Sequence, residues 1–179
     1  MPGFRKVGER EVWAGHLIKV AAGTFESPGG ERFEREMVHH PGAVVVVPLH
    51  ADGRVTMVRQ YRAAIDADLL EVPAGKRDVD GEPTEVTAAR ELAEEVGLRA
   101  GRLDLLGRFY NSAGFSDELS HLYLARDLEA VANDLQGIEE RHMTIERVVL
   151  ADVADLVRAG EIADAKSIIG LCLARDVIN

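Results

Sequence analysis

A short, wholly apolar run is the feature that most limits how this chain can fold. It comprises Ala43–Val47 and is followed by Pro48. The run is far too short to cross a membrane, which takes roughly 20 residues. A continuous apolar segment of this length, with no polar alternation, is typical of a buried strand. The sequence therefore predicts a strand inside a layered fold.

Further strands and helices surround this segment in the sequence. Asp52-Gly53 is a strong hairpin signal, which predicts Arg54–Arg62 as a partner strand. The other predicted elements are strands at Val12–Val20, Glu31–His39, Leu69–Val72, Arg102–Tyr110, Leu119–Ala125 and Met143–Leu150, and helices at Pro83–Val96, Asp152–Arg158 and Asp164–Val177. This order indicates a mixed α/β sandwich. We expect residues 1–40 to form a separate β extension and residues 41–179 to form the main domain.

Net charge limits the kinds of partner. The 179 residues include 31 acidic and 21 basic side chains, which give a formal net charge of -10. This surplus argues against binding to nucleic acids or to anionic membranes. A single cysteine, Cys172, excludes an intramolecular disulfide. The N-terminus lacks an apolar core of signal-peptide length, so we expect a cytoplasmic protein.

The predicted helix Pro83–Val96 has an apolar face. At 100° per residue, one arc collects Val86, Ala89, Leu92, Ala93 and Val96. This stripe predicts the surface that packs against a core. Gly97 then provides a C-terminal stop signal.

Three glutamates form a second face of the same helix. Glu91, Glu94 and Glu95 lie about 170° from the apolar stripe and within about 5–6 Å of one another. Arg90 relieves part of their repulsion if it pairs with Glu94. One interpretation is a solvated surface, and the other is a site for a divalent cation. The small residues of Pro73–Gly75, just ahead of the helix, permit a metal or phosphate to approach closely and favour the cation site.

The segment from Gly75 to Leu98 resembles the Nudix box, the signature of Nudix hydrolases. It has the sequence GKRDVDGEPTEVTAARELAEEVGL. The positions that match in register are Glu82, Arg90, Glu91, Leu92, Glu94, Glu95, Gly97 and Leu98. The departure is six residues, instead of the family's five, between Gly75 and Glu82. Because the extra residue lies in a loop, where insertions are tolerated, it leaves the spacing within the helix unchanged.

This resemblance implies a fold, a cofactor and a set of site residues. The fold is a Nudix-type α/β/α sandwich with a mixed sheet. The implied metal ligands are Glu91, Glu94, Glu95 and the backbone carbonyl of Ala74. The implied orienting or structural residues are Arg90, Glu82 and Gly75. Two or more Mg²⁺ or Mn²⁺ ions would bridge pyrophosphate oxygens and lower the pKa of a bound water.

Segments outside the box resemble the ADP-ribose pyrophosphatase branch of the family. They are VRQYR at 58–62, LLEVPAGK at 69–76, FYNSAGFSDE at 109–118 and GEIADAKSIIGLCLA at 160–174. The resemblance implies substrate contacts at Arg62, Gly114 and Glu118. It also implies a catalytic glutamate before the last strand, where Glu140 fits better than the alternative, Glu139. Glu95 is implied in catalysis as well as in metal binding.

The implied activity is metal-dependent hydrolysis of ADP-ribose, or a related nucleoside diphosphate sugar, to AMP and a sugar phosphate. Ala113 stands where the branch usually has proline. This departure leaves another nucleotide as an alternative substrate, such as a GDP-sugar or a diadenosine polyphosphate. A non-catalytic nucleotide sensor is a further alternative, but such domains commonly lose the box glutamates. The resemblance also implies that the N-terminal extension, residues 1–40, forms a homodimer. Two aromatic residues of this extension, Trp13 and Phe33, either pack in the core or stack on the adenine of the substrate.

Overall fold

The computed structural model describes residues 3–135 and 137–178. Four residues lie outside the described part. They are residues 1, 2 and 179, at the outer ends of the two predicted domains, and residue 136, in the polar stretch before the last predicted strand. The chain divides into two compact units. The first comprises Met1–Gly42 and Phe109–Leu119, and the second comprises Ala43–Arg108 and Ser120–Asn179. No helix within the described residues is long and apolar enough to span a membrane.

The N-terminal strands of the first unit form an antiparallel sheet in the order β1-β2-β3. These strands are β1 (Arg5–Ala14), β2 (Lys19–Glu26) and β3 (Arg32–His39). The predicted single strand Val12–Val20 is wrong, because the chain reverses in its middle. The N–H of Gly15 donates to the carbonyl of Ile18 at 2.9 Å, and this turn separates two strands. The extension therefore has three strands where the sequence predicted a hairpin.

The two aromatic side chains singled out in this sheet have different surroundings. Trp13 is 55% exposed, so it does not pack in a core. Phe33 stacks on Phe25, with ring centroids 5.6 Å apart. Every residue of β1 is exposed. The first unit thus offers a wide, partly apolar surface along this strand.

Within the described residues, the second unit is built on two sheets and four α-helices. The strands are β4 (Ala43–Pro48), β5 (Arg54–Arg62), β6 (Ala67–Glu71), β7 (Ala74–Lys76), β8 (Leu98–Tyr110), β9 (Leu119–Ala130) and β10 (Thr144–Val149). The helices are α1 (Thr84–Val96), α2 (Ile138–His142), α3 (Val153–Arg158) and α4 (Ala165–Ile178). One sheet has the order β7-β4-β9-β8 and is mixed, because β4 runs parallel to β9 and antiparallel to β7. The other, β10-β5-β6, is antiparallel.

The central strand β4 is buried along its whole length, as its apolar sequence predicts. Val44 and Val46 belong to one apolar cluster with three residues of α1, namely Ala88, Leu92 and Val96. A Cβ placed on Gly170 of α4 would lie 3.0 Å from the side chain of Val47. Because successive residues of a strand point to opposite faces, α1 and α4 cover opposite sides of this sheet. The predicted α/β/α sandwich is confirmed.

The rotation of α1 about its axis differs from the prediction. Val86 is 51% exposed although it was assigned to the core face, and Ala89 is also exposed. Glu95, assigned to the solvent face, is only 6% exposed. A helical wheel weighs hydropathy alone, so it cannot register that a buried Glu95 finds a hydrogen-bond donor in the backbone of Ala74.

Candidate active site

A pocket in the second unit collects most of the residues that the sequence singled out. It lies among the end of β5, strand β7, helix α1 and the short helix α2. The predicted residues that line it are Arg62, Ala74, Gly75, Arg90, Glu91, Glu94, Glu95, Glu139 and Glu140. Their side chains come from four separate elements, so the fold has gathered residues from distant parts of the chain.

Arg90 is the centre of an ion-pair network on α1. Its Nη1 lies 2.9 Å from a carboxylate oxygen of Glu91 and 2.9 Å from one of Glu94. The predicted pairing of Arg90 with Glu94 is therefore confirmed. The Nη2 of Arg90 lies 3.5 Å from the carboxylates of Glu82 and Asp78. Glu82 thus contacts Arg90 and is not itself among the residues that line the pocket.

Glu91 lies against the backbone of β7. Burial raises the pKa of Glu91 to about 7, although the charge of Arg90 opposes this change. A Cβ on residue 75 would collide with the carboxylate of Glu91, so only glycine leaves room for the side chain there. The Gly75 of the box is therefore explained by the close approach of Glu91.

Glu95 is the most deeply buried carboxylate in the pocket. Its Oε2 accepts a hydrogen bond from the N–H of Ala74 at 3.2 Å. Burial, together with the negative charge of Glu91, raises the pKa of Glu95 to about 8, while the Ala74 N–H and Arg62 lower it. The charged form of Glu95 is therefore costly unless another positive charge is brought close to it.

The donors in this pocket suit a hard divalent cation. Glu91, Glu94 and Glu95 supply carboxylate oxygens beside the backbone of Ala74 and Gly75, and Mg²⁺ and Mn²⁺ prefer oxygen ligands. Across residues 3–135 and 137–178, no three His, Cys, Asp or Glu side chains are already arranged around a common metal position. Two of the three glutamates are held by Arg90 and the third by Ala74. The chemistry of the donor set fits such an ion, and the absence of a side chain at Gly75 lets the Glu91 carboxylate lie in the pocket.

The two candidate bases lie on a helix, where the sequence predicted a loop. Glu139 and Glu140 belong to α2, and Glu139 is exposed whereas Glu140 is half-buried. The carboxylate of Glu140 accepts the N–H of Gly137 at 3.1 Å. Glu140 and Glu95 line the same pocket, and the charge of Glu140 contributes to the raised pKa of Glu95.

Arg62 makes a two-bond ion pair that the sequence did not reveal. Its Nε and Nη2 each lie 2.6 Å from a carboxylate oxygen of Glu71, which is only 1% exposed. The pair leaves Nη1 outside this contact. Glu71 was not singled out, although a glutamate between the apolar Leu70 and Val72 is a usable signal of a buried, paired carboxylate.

Gly114 and Glu118 belong to the first unit, in the loop between β8 and β9. This loop is tied to the end of β3. The N–H of Val38 donates to the carbonyl of Phe115 at 2.7 Å, and the N–H of Asp117 donates to that of Val38 at 3.1 Å. The pocket described above is lined by residues of the second unit alone. Gly114 and Glu118 are therefore not among its lining residues.

Comparisons with known proteins agree with this architecture. A family model described as NUDIX domain matches residues 38–169. The ADP-ribose pyrophosphatase of Bacillus subtilis (strain 168) is 36% identical over 163 residues, which cover 91% of this chain and 88% of that protein. The ADP-ribose pyrophosphatase of Mycobacterium tuberculosis (strain ATCC 25618 / H37Rv) is 38% identical over 168 residues, which cover 94% and 81%.

A solved structure supports the fold independently. The crystal structure of an ADP compounds hydrolase matches with a TM-score of 0.85 at 24% identity, over 99% of this chain and 95% of that one. At this identity the likeness shows a shared fold. The domain match and the two relatives show that this chain belongs to the Nudix hydrolase family.

Proposed function

We propose that the protein hydrolyses the pyrophosphate bond of ADP-ribose, or of a related nucleoside diphosphate sugar, to AMP and a sugar phosphate. The observation that carries this proposal is the gathering of Glu91, Glu94 and Glu95 in one pocket with Arg62. The similarity to two ADP-ribose pyrophosphatases supports this choice of substrate. The complete set of box glutamates favours an enzyme over a nucleotide sensor.

The proposed cofactor is Mg²⁺ or Mn²⁺, with two or more ions. Glu91, Glu94, Glu95 and the backbone carbonyl of Ala74 would hold the ions. When bound, such ions neutralise pyrophosphate charge and lower the pKa of a coordinated water. Arg90 keeps Glu91 and Glu94 directed into the pocket through its two 2.9 Å contacts. Arg62 offers its Nη1 to a phosphate oxygen, a contact for which guanidinium is well suited.

Glu140 is the proposed general base, with Glu139 as the alternative. The half-buried Glu140 shares the pocket with Glu95 and influences its pKa, whereas Glu139 is exposed. The carboxylate of Glu140 takes a proton from the attacking water as the oxygen bonds to phosphorus. The bridging P–O bond then breaks, and AMP and the sugar phosphate leave.

Two parts of the proposal concern the first unit. Residues 1–40 would form a homodimer through β1, whose exposed side chains include Val7, Val12 and Trp13, while residues 41–179 would form the Nudix domain. Gly114 and Glu118 would contact the substrate, a role supported by the resemblance of their loop to the ADP-ribose pyrophosphatase branch. The exposed apolar side chains on β1 support the dimer.

A substrate panel tests the proposed function. Purified protein is given ADP-ribose, a GDP-sugar, a diadenosine polyphosphate and other nucleoside diphosphate compounds, each with Mg²⁺ or Mn²⁺, and the products are separated by chromatography. We expect AMP from ADP-ribose, and no turnover after the cation is chelated. Brisk hydrolysis of a GDP-sugar beside an inert ADP-ribose would contradict the substrate assignment. Tight binding of nucleotides without turnover would instead indicate a sensor.

A further inference from the structure

A series of alternating charges extends from the pocket to the start of α4, and the proposed chemistry leaves most of it unexplained. Arg62 pairs with Glu71, as described above. The Nζ of Lys166 lies 3.9 Å from Glu71 Oε2 and 2.6 Å from a carboxylate oxygen of Asp164. Glu71 and Asp164 are 1% and 9% exposed. Burying two carboxylates is costly, so a role for this arrangement is to be expected.

Backbone contacts fix the position of Glu71. Asp164 Oδ2 accepts hydrogen bonds from the N–H and the hydroxyl of Ser167, at 2.9 and 2.8 Å, and so caps the first turn of α4. The same hydroxyl of Ser167 accepts the N–H of Val72 at 2.9 Å. Since Val72 directly follows Glu71, the end of β6 is tied to the start of α4. Glu71 is therefore held at both its backbone and its carboxylate.

The two-bond pair in turn fixes the guanidinium of Arg62. Val58, the register partner of Glu71 in the β5–β6 pairing, lies four residues before Arg62 and on the same face of β5. Arg62 therefore extends back along the strand to reach Glu71. Two parallel N–H···O bonds set the plane of a guanidinium as well as its position. With Nε and Nη2 engaged, the orientation of Nη1 is also determined, and Arg62 is one of the residues that line the pocket.

We propose that Glu71, supported by Lys166 and Asp164, is a positioning residue that orients Arg62 to bind the phosphate groups of the substrate. This inference rests on the proposed function. It assigns a role to the GEIADAKSIIG segment, since its Asp164, Lys166 and Ser167 hold the far end of the arrangement. Glu71 itself touches no reacting atom, and its effect passes through Arg62.

A double-mutant cycle tests this role. KM and kcat for ADP-ribose with saturating Mg²⁺ are measured for the wild type, Glu71→Gln, Arg62→Ala and the double variant. We expect Glu71→Gln to raise KM about tenfold and to change kcat less than about threefold, because binding is lost more than chemistry. The double variant should have the KM of Arg62→Ala alone, since Glu71 acts only through that residue. Glu71→Asp, which keeps the charge, should recover part of the loss.

A matched control is available on the same strand. Glu146 forms an equivalent pair with Arg59 of β5, at 2.6 and 3.3 Å, on the opposite face from Arg62. Glu146→Gln should leave KM unchanged. An unchanged KM in Glu71→Gln would overturn the proposal. So would a KM in the double variant that is raised by the product of the two single-variant factors. If Glu71→Gln does not fold, Lys166→Met takes its place in the cycle, with a smaller expected rise in KM and the same criteria.

A binding measurement separates this test from the proposed function. The affinity for AMP in the presence of Mg²⁺, measured by calorimetry, requires no turnover. A wild type that binds AMP but leaves ADP-ribose intact contradicts the proposed substrate, and the cycle is then judged on AMP affinity. The positioning role is supported if Glu71→Gln binds AMP more weakly than the wild type, and if the same substitution has no effect on AMP affinity in the Arg62→Ala variant. An AMP affinity of Glu71→Gln equal to that of the wild type refutes it.

Discussion

Glu26 of the first unit and Glu95 of the second are both glutamates with a hydrogen bond, yet their pKa values change in opposite directions. The hydrogen bond that Arg5 donates at 2.7 Å lowers the pKa of Glu26, which lies near the surface. Burial raises the pKa of Glu95 to about 8 despite the N–H of Ala74. The pKa of a carboxyl group therefore depends more on whether the group stays hydrated than on whether it accepts one hydrogen bond.

The same contrast separates the two regions. In the first unit, the hydrogen bond from Lys6 lowers the pKa of Glu9, and the pKa of Asp117 is lowered because hydrogen bonds from His39 and the His40 N–H together outweigh its burial. In the pocket of the second unit, the pKa of Glu91 rises to about 7 and several carboxylates share the guanidinium of Arg90. The surplus of negative charge in this chain thus includes a local cluster for which a bound cation would be favourable.

The largest expected effect tests this contrast directly. Glu95→Gln should lower metal-dependent hydrolysis at least about 100-fold, because even residues that only support metal ligands commonly change activity by 10–100-fold. The matched variant Glu26→Gln, in the first unit, should change the rate less than about twofold. Initial rates with ADP-ribose and Mg²⁺ provide the measurement. Equal losses in the two variants would remove the distinction between the regions.

A second prediction separates the base from the metal ligands within the pocket. Glu140→Gln should lower kcat about 100-fold, the lower part of the range for general base catalysis. It should also keep the rise in melting temperature that Mg²⁺ produces in the wild type. Thermal melts with and without Mg²⁺ provide this second readout. Glu139→Gln is the control with little expected effect, and the reverse result would move the base to Glu139.

The third prediction concerns the exposed surface of the first unit. Trp13→Glu should convert the proposed homodimer to a monomer, since it places a charge on an apolar part of β1. Light scattering coupled to size exclusion measures the mass. Ile145→Glu serves as the control, because Ile145 is a 49% exposed strand residue of the second unit. A wild type that is monomeric at micromolar concentration would contradict the proposed dimer.

The smallest expected effect is the pH dependence of a surface pair in the first unit. The hydrogen bond between His39 Nδ1 and Asp117, 2.5 Å long, raises the pKa of His39, with burial opposing it and Glu9 assisting at 3.1 Å. Protonated His39 thus stabilises the fold fully below its unfolded pKa of about 6.5, and this stabilisation is lost as pH rises through the raised value.

His39→Gln measures the size of this contribution. The wild type should melt about 1–3 °C higher than the variant at pH 6, and the difference should shrink toward pH 9. The effect is small because the side chain of His39 is 33% exposed, so that solvent screens its interaction with Asp117. A difference that grows with pH would show that the stabilising form of His39 is neutral.

Much of the fold follows from local patterns. The apolar run of β4, the Asp52-Gly53 turn before β5 and the Gly97 stop of α1 all predict elements that the structure contains. Elements without a local signal of their own were missed. The turn at Gly15 and the short strand β7 were missed, because each depends on pairing with a neighbouring strand.

The sequence by itself determined the composition of the site. Helical geometry places residues three and four apart on one side, so the spacing of Glu91, Glu94 and Glu95 was enough to predict a carboxylate cluster and its pairing with Arg90. Only the tertiary structure decided which of these carboxylates is buried. Glu95 loses its water to packing around Ala74, and Glu71 is held by contacts with α4, to which Val72 is joined across 95 positions of sequence. Desolvation depends on what the rest of the chain brings near a residue, and no local pattern contains that information.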